Sequence, residues 1–499
     1  SSAASDVYKR QPIHRYVLWL MRKEKEYVVI YLDCCLYGCD VADDQRIVIN
    51  LTRNGLFYHD RIITCQITEV IHLLCNNYGG ISKFDLLDFE CLDLQIRQSV
   101  EYCEEQNECW SPHEMVLYYT GRELPLRPEE QHEEALRLMI DCYQEMKRRG
   151  EEEWPRIEKI EIPVNRVLYD LVARGIEFRN DQLEEFCQVQ HKKLYRALNR
   201  IQLDFGQVQP NLEALYNQLN LPIHYLKYGR LKALCKKYPK LQPFRDAEKA
   251  ERNLRILTYL SAIRKNLNIV TPVVKPVGSR TSRIILRNPP LQNMSKEFRG
   301  LFNCSHQTFV NHRYLYVDYS QFEAGILAGL TNRKELISLY EKNRIYSEIE
   351  RIANCDRSEA KILFYCFIYG GVCAKKLKGF FNRYCSEDDL ESLVNAPKVS
   401  SLLGNSRILN MDTDCHKILN HRIQSIGSLI FKQALIDVYN RYRWKVDLVL
   451  PLHDGALYKI IDDKITDEDI CRIYREAFRK YFPGLSPLVK PQQFFPEGE

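Results

Sequence analysis

Along residues 314–330 the spacing of apolar positions changes period. From Tyr314 to Tyr319 the residues are aromatic, aliphatic or β-branched, interrupted by one carboxylate, Asp318, and this predicts a strand with an acid near its end. Phe322, Ile326, Leu327 and Leu330 then recur at helical spacing, so a helix follows directly. An acid at the end of an apolar strand is costly to bury unless something compensates it, and a metal ion is one common answer.

Three later patterns bear on that acid. Between Val446 and Ile460 two apolar runs flank His453-Asp454-Gly455, which predicts a hairpin carrying a second carboxylate at its turn. Residues 357–370 predict a helix capped by Asp356 and ended by Gly370-Gly371. On it Arg357, Lys361, Tyr365 and Tyr369 follow every fourth position as one stripe, while Ile362, Leu363, Phe364, Phe367 and Ile368 are expected to anchor the other side. Two cations in the N-terminal half and two rings beyond suit a nucleoside triphosphate, with phosphates on Arg357 and Lys361 and base and sugar against Tyr365 and Tyr369. An ordinary amphipathic helix has the same pattern. A long helix from about Cys415 to Tyr442 places Asn420 and Gln424 one turn apart.

The N-terminal region reads as a small α/β unit: strands Tyr27 to Leu32 and Arg46 to Leu51, and helices Ile62 to Cys75 and Glu129 to Arg149. The first strand ends at Asp33, but Cys34 and Cys35 follow where a nuclease would want a partner acid, and Asp85, Asp88, Glu90 and Asp93 are expected to be solvated surface acids. Gly150-Glu-Glu-Glu153 and Pro155 mark a boundary. Helices follow over Pro163 to Ala173, Asp181 to Gln202 and Arg245 to Asn266. Between the last two, Lys227, Arg230, Lys232, Lys236, Lys237 and Lys240 interleave with Tyr225, Tyr228 and Tyr238, a pattern shared by phosphate-backbone contacts and by solvated faces. The polar segment with Arg280, Gln292 and Asn293 offers donors for minor-groove acceptors, which are similarly placed in every base pair.

Composition changes this picture little. The 499 residues carry 71 Lys and Arg against 66 Asp and Glu, a net charge of +5 that by itself makes no case for nucleic acid. The 18 Cys form no CxxC pair, so free thiols in a reducing cytoplasm and no zinc site are expected. No apolar run approaches the ~20 residues that cross a bilayer. Residues 1–11 lack an initiator Met, read as a truncation or assembly artefact, and are set aside.

Taken together the motifs resemble family A DNA polymerases. Asp318-Tyr-Ser-Gln-Phe-Glu323 resembles motif A, Arg357-x3-Lys361-x3-Tyr365-x3-Tyr369-Gly370 resembles motif B, and His453-Asp454 resembles motif C. Arg280 with Leu291-Gln292-Asn293 is similar to the primer-template segment before motif A, Asn420-x3-Gln424 to the minor-groove helix between B and C, and Ile160-Glu-Ile-Pro163 to the start of the thumb. All six fall in family order across residues 157–460.

The resemblance implies a mixed α+β right-hand polymerase with palm, fingers and thumb, preceded by a degenerate 3′–5′ exonuclease-like domain. Its limits would be 12–150 for that domain, 151–275 for the thumb, 276–335 and 405–499 for the palm, and 336–404 for the fingers. It implies primer-template DNA and dNTPs as partners. Two Mg²⁺ ions, or Mn²⁺, would be held about 4 Å apart by Asp318, Asp454 and the carbonyl of Tyr319. Glu323 with Tyr369 would exclude a ribose 2′-hydroxyl, Gln321 would join the nucleotide site, and His453, Lys232 and Lys236 would contact DNA. Tyr at 365 resembles phage-type members and implies tolerance of dideoxynucleotides. A cytoplasmic monomer, bacterial or in a phage-infected host, is expected.

The departures are Gly325 where Arg is usual, Gly455 where Glu is usual, Cys366 for Gly, Arg344-Ile-Tyr346 for Asp-Ile-His, and a short fingers segment. They bear on efficiency more than on reaction type. Asp33-Cys34-Cys35 lacks the Asp-x-Glu of the nuclease, so no proofreading is expected. A single-subunit RNA polymerase shares both Asp residues and the Arg/Lys/Tyr helix, with Glu323 arguing against it. A catalytically weak DNA-binding relic is the other alternative.

Overall fold

A computed structural model describes residues 25–54, 56, 60–81, 84–101, 110–125, 127, 130–206, 235, 238–263, 268–303, 312–368, 375–384, 398–409 and 415–496. Two compact units divide the chain. One runs to Asp170 and takes in Leu403–Asn410; the other comprises Leu171–Leu402 and Met411–Glu499. Among the described residues no helix is long and apolar enough to cross a membrane.

The first unit is built on β1 (Glu26–Leu32), whose Val28 and Val29 are fully buried. With β2 (Cys35–Asp40), β3 (Val48–Asn50), β4 (Arg61–Thr64) and β5 (Asp85–Asp88) it forms a five-stranded sheet ordered β3-β2-β1-β4-β5. β1 runs antiparallel to β2 and parallel to β4, and β4 runs parallel to β5. The predicted helix from Ile62 is corrected here: Ile62 and Ile63 pair with Tyr27 and Val28, and α1 begins only at Ile67 and runs to Tyr78. Adjacent β-branched residues, both fully buried, favour the strand. β2 was not expected, and it explains Asp33. Leu32 pairs with Cys35, so Asp33 and Cys34 form a two-residue turn, with φ of 48° and 60°, and Asp33 stands exposed at a loop tip.

Three of the four later acids expected to be solvated are not, Glu90 alone being half-exposed. Asp85, Asp88 and Asp93 are buried, each with an internal partner. Asp85 takes Arg166 at 2.6 Å, Asp88 caps helix α2 (Phe89–Val100) through the Glu90 amide, and Asp93 pairs with fully buried Arg97 at 2.7 Å. Burial costs each carboxylate its hydration, so a partner had to be supplied within the unit.

In the second unit the helices α3 (Leu183–Phe205) and α4 (Gln242–Ile263) pack along each other, burying Ala197, Ile201, Leu241, Phe244 and Ala247. The four-stranded sheet contains β6 (Arg313–Tyr319), β7 (Val446–Pro451), β8 (Gly455–Ile460) and β9 (Val489–Gln492), ordered β7-β8-β6-β9. All its pairings are antiparallel. The strand and following helix of the 314–330 stretch appear as expected, the helix being α5 (Phe322–Thr331). The hairpin around His453 and the helix Cys415–Tyr442, α7 here, are also as expected.

The stripe helix is α6 (Arg357–Ile368), capped by Asp356 through the Glu359 amide at 2.9 Å. Its anchor differs from expectation: Ala360, Phe364, Phe367 and Ile368 are buried, whereas Ile362 is 46% exposed. Positions 360, 364 and 367 share one face at 3.6 residues per turn, and 362 lies nearly opposite them.

Candidate active site

Asp318 and Gly455 are direct partners in the β6–β8 register, so Asp454 at the hairpin turn lies beside Asp318. The Tyr319 amide donates to the Asp454 carbonyl at 3.3 Å and locks the two ends together. Asp318 and Asp454, 136 residues apart in sequence, thus meet at one end of the sheet. Burial and the neighbouring Asp454 charge push the Asp318 carboxyl up to about 6. Burial also raises Asp454, against the pull of Arg283, His453 and Lys361. Both acids therefore have a raised proton affinity, with burial as its largest cause.

Gly455 and Gly325 both have a physical reason here. A Cβ at Gly455 would stand 2.5 Å from the carbonyl oxygen of Val317, so any side chain at 455 forces the two acid-bearing strands apart. A Cβ at Gly325 would stand 2.5 Å from the ring of Tyr340, which is fully buried and whose hydroxyl accepts from the Leu488 amide at 3.2 Å. Tyr340 fills the room beside α5, and the first turn of that helix is held by packing rather than by an exposed arginine.

The side chain of Tyr319 belongs to the core: it stacks on Phe322 at 4.4 Å and donates to the Tyr474 carbonyl at 2.7 Å. Only its backbone faces the acids. Gln321, in left-handed backbone, donates to Asn343 Oδ1. Glu323 is 5% exposed and accepts from Arg283 Nη2 at 3.1 Å.

On α6, Arg357 and Lys361 are exposed. The Arg357 guanidinium lies 5.7 Å from the ring of Tyr346 and donates to Ser347 at 3.4 Å. Lys361 lies 5.9 Å from the Tyr365 ring, and its charge lowers the proton affinity of Asp318 and Asp454 alike. Tyr365 shares a hydrogen bond with Tyr346 and feels the charges of Glu323 and Asp454; burial raises it far above a free phenol. Tyr369, Lys232 and Lys236 lie outside the described residues.

Among the expected DNA contacts, Gln292 is corrected. Its amide nitrogen donates to the carbonyls of Ile284 at 3.2 Å and Pro451 at 3.1 Å, and its oxygen accepts from the Leu286 amide. No amide hydrogen is left for a groove acceptor, and the side chain instead ties the segment before motif A to the motif C hairpin. Asn293 and His453 are exposed, and Arg280, Asn420 and Gln424 are half-buried. Although His453 is exposed at its surface, desolvation of its ring by the surrounding atoms lowers the imidazole, as does Arg283, while Asp454 opposes them.

Three participants escaped the sequence reading. Gln492 on β9 donates to Asp318 Oδ2 at 3.0 Å. Arg283 reaches Glu323, and Tyr346 reaches Tyr365. Arg283 lies in the very loop that drew attention to Arg280, but nothing local distinguishes a donor facing DNA from one facing the protein. Gln492 lies on a short strand with no motif of its own.

A sequence profile described as DNA polymerase family A matches residues 204–382. DNA polymerase I of Helicobacter pylori is 26% identical over 383 residues, covering 66% of this chain and 42% of its own length. DNA polymerase I of Treponema pallidum is 24% identical, covering 60% and 36%, and DNA polymerase theta of Caenorhabditis elegans 27%, covering 41% and 15%. Over those stretches the chain is similar to DNA polymerases of family A. The chain spans less than half the length of those relatives. A solved structure described as the POL domain of Pol1 from M. smegmatis in complex with DNA primer-template and dNTP matches at a TM-score of 0.75, with 15% identity and 96% of both chains covered. The fold is therefore the mixed α+β right-hand polymerase fold.

Proposed function

We propose that this chain is a template-directed DNA polymerase that adds deoxynucleoside triphosphates to a primer 3′-hydroxyl. The observation that carries this reading is the meeting of Asp318 and Asp454, both with raised proton affinity, within reach of the Lys361 charge. The donor set suits Mg²⁺, which takes one or two carboxylates and leaves the remaining positions to water and substrate phosphates. Among the described residues no third His, Cys, Asp or Glu joins the pair, in keeping with Gly455. Asp318, Asp454 and the Tyr319 carbonyl would hold the ions. When bound, these supply charge neutralisation at the attacking and leaving oxygens.

The chain's own residues do the rest. Arg357 and Lys361 bind and orient the triphosphate, which supplies positioning and charge stabilisation at the transferring phosphoryl group. Tyr365, tied to Tyr346, backs the nucleoside, and Glu323 occupies the space a 2′-hydroxyl would need. Asn293, Arg280, Asn420, Gln424 and His453 face the duplex. We assign residues 151–275 to the thumb, 276–335 and 405–499 to the palm, and 336–404 to the fingers. Residues 12–150 are a degenerate exonuclease-like domain without proofreading: Asp33 sits on a turn, and the buried acids are already paired within the unit.

Extension of a primed template with separate dNTP and rNTP pools tests the reading against the RNA polymerase alternative. Preferential dNTP use supports it; preferential rNTP use overturns it.

A further inference from the structure

Glu323 is buried to 5% exposure, and a carboxylate so placed needs a fixed partner to stay ionised and in one orientation. Arg283 supplies it at 3.1 Å. The guanidinium does not drift in from solvent on a loose loop. The Arg283 amide donates to Ser279 Oγ at 3.2 Å, its carbonyl accepts from Gly278 at 2.9 Å, and the preceding Ser282 carbonyl accepts from Ser428 on α7 at 2.5 Å. Both ends of the contact are therefore built: Glu323 in the first turn of α5, and Arg283 on a closed loop pinned to a long helix.

We infer that Arg283 is a specificity-determining positioning residue, which holds the Glu323 carboxylate where it rejects a ribose 2′-hydroxyl. This rests on the proposed polymerase function and on Glu323 as its sugar selector. A pocket that is merely apolar rejects an added hydroxyl weakly, by roughly a hundredfold. A carboxylate held by an ion pair adds steric exclusion, and the ion pair opposes its swinging aside to accept the hydroxyl's proton. Without Arg283, Glu323 either takes up a proton or turns towards water, and in both cases the exclusion weakens. Arginine suits the task, because its planar fork fixes direction as well as charge, and lysine supplies only the charge.

The test compares kcat/KM for dATP and ATP opposite template dT in wild type, Arg283→Ala, Arg283→Lys, Glu323→Ala and the double alanine variant. Arg283→Ala is expected to reduce the preference for dATP by about tenfold or more, Arg283→Lys by less, and the double variant to fall no further than Glu323→Ala. A general folding defect would lower both substrates and leave their ratio unchanged. Equilibrium binding of dATP and ATP to the complex with a dideoxy-terminated primer gives the same ratio without chemistry, so the inference is tested even if turnover is absent. If Glu323→Ala leaves the ratio unchanged, the sugar-selector reading itself fails. If Glu323→Ala lowers the ratio and Arg283→Ala does not, or if the two effects multiply, only the role given to Arg283 is overturned.

Discussion

Gly455 faces Asp318 across the β6–β8 pairing so closely that a Cβ at 455 would lie 3.0 Å from the Asp318 Cα and Cβ as well as 2.5 Å from the Val317 carbonyl. The obstacle is backbone, which cannot rotate away as a side-chain tip can. Gly455→Ala is therefore expected to cost about 1–3 kcal/mol, read as a lower urea midpoint at unchanged slope, and Gly455→Glu to cost more. An acid placed at 455 should therefore lower primer extension rather than improve it. An active, stable Gly455→Glu variant would show that the hairpin opens without penalty.

Asp318 titrates at about 6 in the folded protein, well above the usual carboxylate range. A raised folded value means that this group's contribution to stability is fully present below its unfolded pKa and is lost as pH rises through about 6. Asp318→Asn carries no charge and escapes that loss. In the absence of divalent cations its melting temperature should exceed that of wild type at pH 8, with the gap closing towards pH 4. An equal gap at both pH values would contradict the raised pKa.

Gln492 donates to Asp318 Oδ2 and so favours the ionised carboxylate. Gln492→Leu should raise the Asp318 pKa above about 6 and move the acid limb of the pH–rate profile to higher pH, with little change at pH 9. A uniform fall in rate at all pH values would instead mean that Gln492 only supports the strand.

In the first unit Asp33 stands on a two-residue turn, and Asp85, Asp88 and Asp93 are committed to Arg166, the α2 cap and Arg97. A 5′-labelled single strand should survive incubation with the protein and Mg²⁺. Digestion that disappears in Asp33→Ala would refute the absence of proofreading.

How far the sequence reached depended on the range of each signal. The strand–acid–helix run around Asp318, the His453-Asp454 hairpin and the helix Cys415–Tyr442 have periods written in consecutive residues, and all three are present as read. Ile62 and Ile63 misled because an apolar pair fits a helix and a strand equally, and only pairing with Tyr27 and Val28 decides it. Arg283 and Gln492 were missed because a donor's target is set by tertiary contacts 40 and 174 residues away. Gln292 was read as facing DNA for the same reason, when its amide faces the carbonyls of Ile284 and Pro451. Gly325 and Gly455 looked like lost functional groups. In the folded chain they are places where Tyr340 and the Val317 backbone need the room.

The central claim is that Asp318 and Asp454 together carry nucleotidyl transfer, and its most direct measurement is Mg²⁺-dependent extension of a labelled primer by wild type, Asp318→Ala and Asp454→Ala, with primer-template affinity measured alongside. The wild type should add dNTPs. Each variant should lose at least about a thousandfold in rate, on the order of 4 kcal/mol of transition-state stabilisation, while still binding the duplex. Wild-type protein that binds primer-template but never extends it, or an Asp318→Ala variant that extends at the wild-type rate, would contradict the account.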